Sequence, residues 1–380
     1  MAKKLKKKSN GMNPKVKFTL VNAGKGIISN QCVIDGSKES PWWVAAIFLA
    51  VSVILPLIPN YVKVSKTKGS DFISSVNYGF DTALTDLAYS MEKNEEELKV
   101  EGGNLHYYKH GTQYDDYAFV TPDDTYIEDV KQEAEVIDSS NDQYSLRVFM
   151  WKGISGTTLQ KYVNKVAKQQ FRIGTHNIKN TETDPEGSKY YTPSIMILTP
   201  KTMAVALYKN DTTSQVSTTY GGMDWLNTGK TGLIERLNKA GLEDGAFTDS
   251  GMTRDTYITK YRAKVLNQFA RICNEAYLNQ KTRTKWANTG IYAGIYTGVI
   301  VFLGLMLFIL TRGKNNPFRY LNVWHTQKIA WWAAFTPAVL GMILAFVFSG
   351  NMIGQMAFIL LISLRVMWMS MKQLRPQIQQ

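Results

Sequence analysis

Four long apolar segments constrain the fold of this chain more than any other feature of its sequence. A helix needs about 20 apolar residues to cross the roughly 30 Å hydrocarbon core of a bilayer. The segments that reach this length are residues 42–62, 287–310, 329–348 and 352–371. Helices of soluble proteins rarely stay apolar for so long. The sequence therefore predicts a membrane protein with an α-helical bundle of four spans.

The first apolar segment is predicted to remain in the protein as an uncleaved anchor. A signal peptide has a shorter apolar core and ends at a cleavage site of small residues. Here the run is longer, and its end holds Pro56, Pro59 and the bulky Tyr61. Residues 63–285, between the first and second spans, then form one large domain inserted between two membrane anchors.

The distribution of basic residues argues against a nucleic-acid-binding protein. The formal net charge is +13, yet residues 60–285 carry 29 acidic and 28 basic side chains. Residues 1–40 carry nine lysines and two acids, and residues 286–380 carry seven basic side chains and no acid. A positive excess beside apolar spans is typical of cytoplasmic flanks that meet anionic lipid. The predicted partner is therefore a bilayer with anionic headgroups, and no nucleic acid.

The same distribution predicts the orientation of the spans. With four spans, three basic regions fall on one side of the membrane: the N-terminal segment 1–40, the loop 312–328 and the tail 372–380. Lys and Arg accumulate on the cytoplasmic side. Both termini are therefore predicted to be cytoplasmic, and residues 63–285 extracytoplasmic.

The two cysteines fit a bacterial cell surface. The predicted orientation puts Cys32 and Cys273 on opposite sides of the membrane, so they are not expected to pair. A large outer domain without a disulfide is more typical of bacteria than of a disulfide-rich secretory pathway. The predicted location is the bacterial plasma membrane, which the chain crosses several times.

Three basic residues in or beside the spans are candidates for contact with lipid or with a partner: Arg365, Arg319 and Lys328. Arg365 lies in the middle of the fourth span, where an ionisable residue indicates a functional site by default. Lys372 follows seven residues later, roughly 10 Å along a helix. A side chain that extends to the inner headgroups is therefore the simpler of the two interpretations, and both remain open.

Apolar periodicity predicts an α+β domain in residues 63–285. Apolar side chains recur every three or four positions in segments 71–91, 157–171 and 253–285, which predicts amphipathic helices. The last of them is expected to run directly into the second span, and residues 92–97 are expected to end the first helix in solvent. Short β-rich runs between turn residues predict strands at 98–100, 105–108, 117–120, 144–151, 194–198 and 203–208.

No pattern of catalytic or metal-binding residues stands out in this domain. His106 and His110 are four residues apart, but they lack the glutamate of a metalloprotease helix and lie in a strand-and-turn pattern. The acidic pairs Asp115-Asp116 and Asp123-Asp124 are more typical of solvated turns than of a glycosidase site. Trp225, which follows a Gly-Gly pair closely, is a candidate for stacking on a sugar ring. The sequence predicts no catalytic residue, no metal and no cofactor.

Four segments carry a resemblance to a known family: the Asn13-Pro14-Lys15 lead before the first span, residues 98–105, the strand pair 195–208, and residues 318–341 with Thr336-Pro337. In their order and placement they resemble Gram-positive membrane proteins known as maltodextrin-utilisation proteins, which contain a domain of unknown function. The resemblance covers most of the chain. It implies an accessory role in maltose or maltodextrin uptake, beside a carbohydrate transport complex and without assigned catalytic residues.

The expected function is that of a non-enzymatic accessory or sensory membrane protein associated with carbohydrate uptake. Three alternatives stay open: a membrane transporter subunit, an outer-surface enzyme with an unidentified site, and a protein that organises lipid. The predicted spans contain no acidic residue, so they offer no evident proton or cation relay for a pump. The ligand, the partner and the oligomeric state are not defined by the sequence.

Overall fold

A computed structural model describes most of the chain. The described residues are 21, 24–26, 29–74, 80–119, 135–138, 145–152, 171–172, 182–183, 185–188, 190–191, 194–208, 217–229, 231–245, 252–313, 316–348 and 351–374. The chain divides into two compact units. The helical unit comprises Met1–Lys66 with Thr284–Gln380, and the sheet unit comprises Thr67–Arg283.

The structure is mostly helical. The helices are α1 (Asn30–Glu39), α2 (Trp42–Lys66), α3 (Asp71–Ser74), α4 (Phe80–Lys93), α5 (Asp115–Ala118), α6 (Leu233–Glu243), α7 (Arg254–Leu310), α8 (Val323–Val347) and α9 (Asn351–Lys372). Helix α7 begins in the sheet unit and ends in the helical unit. This confirms the prediction that the last helix of the inserted domain runs directly into the second span.

Three helices in the described part of the chain are long and apolar enough to cross a membrane, and they are α2, α7 and α8. They contain the first three predicted spans, which supports a multi-pass membrane protein. Helix α8 starts six residues before the predicted span because Asn322 caps it, with its Oδ1 accepting from the His325 amide at 2.9 Å. The fourth predicted span falls on α9.

Aromatic rings and close helix approaches form the core of the helical unit. Phe48 of α2 stacks on Trp332 of α8 with ring centroids 4.3 Å apart. A Cβ added at Gly341 of α8 would lie 3.1 Å from the Phe358 Cβ of α9. Small residues at such contacts let two helices approach closely in lipid, where packing rather than water exclusion drives association.

The sheet unit is built on three small sheets. The strands are β1 (Glu96–Glu101), β2 (Asn104–Lys109), β3 (Thr112–Gln113), β4 (Glu135–Asp138), β5 (Ser145–Met150), β6 (Phe171–Arg172), β7 (Tyr190–Tyr191), β8 (Ser194–Leu198), β9 (Thr202–Tyr208) and β10 (Ser217–Asp224). The strand orders are β1-β2-β3, β10-β9-β8-β5-β4 and β6-β7. Neighbouring strands pair antiparallel, except that β5 and β8 are parallel.

The core of the sheet unit lies between its helices and its sheets. The stripe of α7 that the sequence predicted is buried, including Tyr261, Val265, Phe269 and Ile272, each at most 3% exposed. Helices α4 and α6 pack their apolar faces into the same cluster as strands β1, β8 and β9. The predicted strands at 98–100, 105–108, 194–198 and 203–208 are confirmed, and β5 accounts for most of 144–151.

Two local predictions are wrong. Residues 117–120 were expected to form a strand, but Asp115–Ala118 forms the short helix α5, with two acids in its first turn that suit a helix N-terminus. Residues 92–97 were expected to end the first helix in solvent. The helix does end at Lys93, and residues 93–95 are exposed, but Glu96 is only 8% exposed and belongs to β1, because strand pairing with β2 starts before the acidic run ends.

Other predictions fall outside the described residues. They concern the middle of the first predicted helix (75–79), nearly all of the helix predicted at 157–171, the Asp123-Asp124 pair and the basic segment 1–20. Phe171, the last residue of the predicted 157–171 helix, lies in β6.

Candidate functional site

The structure contains a helix, α1, that the sequence did not predict. Ser29 caps it, with its Oγ accepting from the Cys32 amide at 3.5 Å, and the Ser40 amide donates back to the Gly36 carbonyl at 3.0 Å. Val33 and Ile34 on one face are 1% exposed and join the core of the helical unit. Burial of two such side chains contributes about 3–6 kcal/mol to holding α1 in place.

Arg365 of α9 holds the start of α1. Its Nε donates to Asn30 Oδ1 at 2.9 Å, and its Nη2 donates to the Gly26 carbonyl oxygen. Its Nη1 donates to the Ala333 carbonyl oxygen of α8 at 3.2 Å. Every nitrogen of the guanidinium thus has an acceptor in the chain itself. The structure places this residue, the strongest candidate from the sequence, against protein atoms.

Lys328 of α8 holds the other end of α1. Its Nζ donates to the carbonyl oxygen of Ser40, the residue that caps the helix C-terminus. Carbonyls at a helix C-terminus carry partial negative charge, so a cation is favourable there. We call Arg365, Lys328 and their acceptors Gly26, Asn30, Ser40 and Ala333 the N-terminal docking site.

Gln327, the residue before Lys328, connects α8 to α7. Its Nε2 donates to the Val301 carbonyl oxygen at 2.9 Å. Gly304 makes room for it, because a Cβ at that position would lie 2.5 Å from Gln327 Oε1. Two consecutive residues of α8 therefore contact α7 and the end of α1.

Arg319 lies apart from the docking site. Its side chain is exposed. Its backbone amide donates to the Asn316 carbonyl oxygen at 3.1 Å, and its backbone carbonyl oxygen accepts from Arg312 Nη1 at 3.4 Å. Nearby, Lys38 of α1 lies over the Phe318 and Tyr320 rings at 5.4 and 5.7 Å, a cation–π arrangement. The predicted lipid or partner contact of Arg319 stays a prediction.

The sheet unit separates the two histidines that the sequence singled out. His106 Nδ1 lies 2.6 Å from Asp115 Oδ2, whereas His110 Nδ1 lies 2.9 Å from Glu95 Oε2 at the surface. Partial burial raises the pKa of Asp115, but hydrogen bonds from His106, Tyr107 and Gln113 outweigh it and hold that pKa below its usual value. Within the described ranges, no three potential metal ligands come together.

The hypothesis that Trp225 stacks on a sugar ring is wrong. The side chain is fully buried in the core of the sheet unit. Its Nε1 donates to the Thr199 carbonyl oxygen at 2.8 Å, which satisfies the one polar atom of the indole. This tryptophan has a structural role.

Sequence reasoning missed most of the docking site. Arg365 and Lys328 were candidates, but their acceptors Gly26, Asn30, Ser40 and Ala333 carried no signal of their own. The only local indication of α1 is the cap at Ser29, since such serines often precede helices. Nothing in the sequence links Arg365 and Lys328 to the capped helix α1, so their contact could be seen only in the tertiary structure.

Comparison with known proteins adds no relative. No family model matches the chain, and neither a curated protein nor a solved structure does. Fold and site define a class: a mostly helical protein with helices of membrane length, whose short N-terminal helix is held by cations of two later helices. The maltodextrin-utilisation family stays a hypothesis drawn from sequence resemblance.

Proposed function

We propose that this chain is a four-span membrane protein with both termini in the cytoplasm and an extracytoplasmic α+β domain. The basic flanks of the apolar helices support this orientation. The fourth span is α9, which carries 22 residues and whose only charged residues are Arg365 and Lys372. The N-terminal docking site supports a fourth span. Protein carbonyl and amide oxygens accept hydrogen bonds from the guanidinium of Arg365, and this removes much of the cost of placing a charge inside a membrane span.

Protease access in sealed cells tests this orientation. An epitope tag inserted near residue 180 is expected to be cut by external protease, and a tag near residue 5 is expected to be protected until the membrane is opened. The reverse pattern would rule out the orientation. A tag at 180 that is cut while the C-terminus is also cut would rule out an even number of spans.

We further propose that the protein is a non-enzymatic sensory or accessory component of maltose or maltodextrin uptake. In this proposal the outer domain binds a ligand or a transport complex, and the cytoplasmic end of the bundle reports the bound state. The observation that carries the proposal is the docked helix α1, since a short element held by two buried side chains and a few polar contacts can be released. The sugar class rests on the sequence resemblance.

The contacts around residues 327 and 328 support a route for the signal. Helix α7 contributes its first part to the sheet unit and its last part to the bundle. A shift of α7 would act on Gln327, and Lys328, the next residue, holds the end of α1. Coupling of this kind requires an element with two states, and the equilibrium between those states must respond both to the outer domain and to the N-terminal docking site.

Deletion of the gene tests the proposed role. Uptake of labelled maltodextrin and induction of the uptake system are expected to fall several-fold and to return with the wild-type gene. Glucose uptake serves as the control and is expected to stay constant. If maltodextrin uptake and induction are both unchanged, the sugar assignment is wrong.

A further inference from the structure

Two tyrosines extend into solvent from a single helical turn of the sheet unit. Tyr117 of α5 is 87% exposed, and Tyr114, the residue before the helix, is 47% exposed. The Tyr117 amide donates to the Tyr114 carbonyl oxygen at 3.1 Å. Residues three apart on such a turn lie on the same side of it, so the two side chains form one exposed aromatic surface. We call Tyr114 and Tyr117 the tyrosine platform.

The turn that carries the tyrosine platform is held at both ends. Asp115, the first residue of α5, accepts from the Tyr107 amide at 2.8 Å and from Gln113 Nε2 at 2.6 Å. At the other end Phe119 belongs to the core of the sheet unit, and its amide donates to the Asp115 carbonyl oxygen at 2.9 Å. An aromatic side chain on a fixed backbone loses little conformational entropy when it binds a ligand, so it suits recognition.

The polar groups beside the tyrosine platform largely compensate one another. Both oxygens of the Asp115 carboxylate already accept hydrogen bonds, and Oδ2 also lies 2.6 Å from His106 Nδ1. Asp116 accepts from Lys152 Nζ at 2.9 Å, and both side chains of this ion pair are open to solvent. Compensated charges disfavour a charged ligand. They suit a neutral ligand with hydroxyl groups, which donate and accept hydrogen bonds.

The exposed apolar area is too small for a stable protein interface. In the described part of the sheet unit, three other large apolar side chains are more than a third exposed, and they lie on or beside separate elements: Leu226, Leu242 and Leu278. A stable protein interface covers about 800 Å² on each partner, whereas one aromatic side chain supplies at most about 250 Å². Two adjacent tyrosines therefore match a small ligand.

We propose that the tyrosine platform is a binding site for a neutral oligosaccharide. A sugar ring has an apolar face of C–H groups and an edge of hydroxyls. In this site the C–H faces stack on the two tyrosine rings, and the hydroxyls bind to Gln113, Asp116 and Lys152. The choice of a maltodextrin as the sugar rests on the proposed function, whereas the site itself rests on the geometry around α5.

Equilibrium dialysis of the full-length protein against labelled maltohexaose tests the site. The detergent must have no sugar headgroup, because such a headgroup would compete. Tyr117→Ala is expected to raise the dissociation constant on the order of tenfold, because it removes the most exposed ring. Tyr117→Phe keeps the ring and is expected to stay within about threefold of wild type. Tyr320→Ala, which removes a 66% exposed tyrosine of the helical unit, is the matched control and is expected to bind as wild type does.

The results separate the site from the proposed function. The site is wrong if the wild type binds neither maltohexaose nor its β-linked counterpart cellohexaose, or if Tyr117→Ala binds as tightly as the wild type. Binding of cellohexaose alone that weakens in Tyr117→Ala would support the site and contradict the maltodextrin assignment. Maltodextrin uptake that requires the gene but is fully restored by its Tyr117→Ala form would contradict the site and leave the proposed function standing.

Discussion

Replacement of Arg254 by leucine is expected to lower the free energy of unfolding of the sheet unit by about 1–3 kcal/mol, less than for a fully buried pair because the arginine side chain is 50% exposed. Arg254, the first residue of α7, pairs with Asp86 of α4 through two parallel hydrogen bonds from Nε and Nη2. Asp86 is 0% exposed. Without the guanidinium of Arg254, the carboxylate of Asp86 stays buried and loses its ion-pair partner. The cost of keeping this charge away from water is the main cause of the lost stability. Denaturant-dependent proteolysis of the full chain in micelles measures the change.

Two comparisons make this expectation specific. Arg262→Leu removes an exposed arginine of the same helix and is expected to change the stability by less than about 0.5 kcal/mol. The double replacement Asp86→Leu with Arg254→Leu removes both charges and is expected to recover much of the loss. If the single change Arg254→Leu is as mild as Arg262→Leu, the ion pair does not stabilise the sheet unit.

Replacement of Arg365 by glutamine is expected to free α1 from the bundle. A cysteine at position 37 reports this release, because Ser37 is 1% exposed and differs from cysteine by one atom. In a Cys32→Ser background, alkylation of the reporter in proteoliposomes is expected to rise on the order of tenfold with Arg365→Gln. A single hydrogen bond to a charged group is worth about 1.5–3 kcal/mol, and tenfold corresponds to about 1.4 kcal/mol.

The matched control for this experiment is Arg319→Gln. It removes the same charge from an exposed side chain that lies outside the N-terminal docking site, so alkylation is expected to stay at the starting rate. Cys273 is fully buried, and burial raises the pKa of its thiol, so it contributes little background. Equal rates for Arg365→Gln and Arg319→Gln would show that Arg365 does not hold α1.

The helices of membrane length could be predicted because their signal is local. The cost of moving a segment from water into lipid adds up over its own residues, so α2, α7 and α8 were visible without any knowledge of their neighbours. The stripe of Tyr261, Val265 and Phe269 on α7 was visible for a similar reason. Helical periodicity depends only on spacing along one element.

Predictions from local sequence patterns were wrong where another contact, local or tertiary, determined the structure of the segment. Trp225 has the sequence context of an exposed loop, but its indole fills the core and donates to the Thr199 carbonyl. The segment from Tyr117 has strand-forming residues, yet Asp115 accepts from the Tyr107 amide at 2.8 Å beside the start of α5. Burial and side-chain hydrogen bonds outweigh propensities that amount to less than about 1 kcal/mol per residue.

Sequence alone determined which segments are apolar enough for lipid, where the basic flanks lie, and that the inserted region runs into the second span. Only the tertiary structure decided what the charged side chains contact. Arg365 and Asn30 are 335 residues apart, Arg254 and Asp86 are 168 apart, and Glu97 and Ile234 are 137 apart. A charge removed from water is stabilised by the hydrogen-bond partners that the fold brings to it, and no pattern along one segment contains that information.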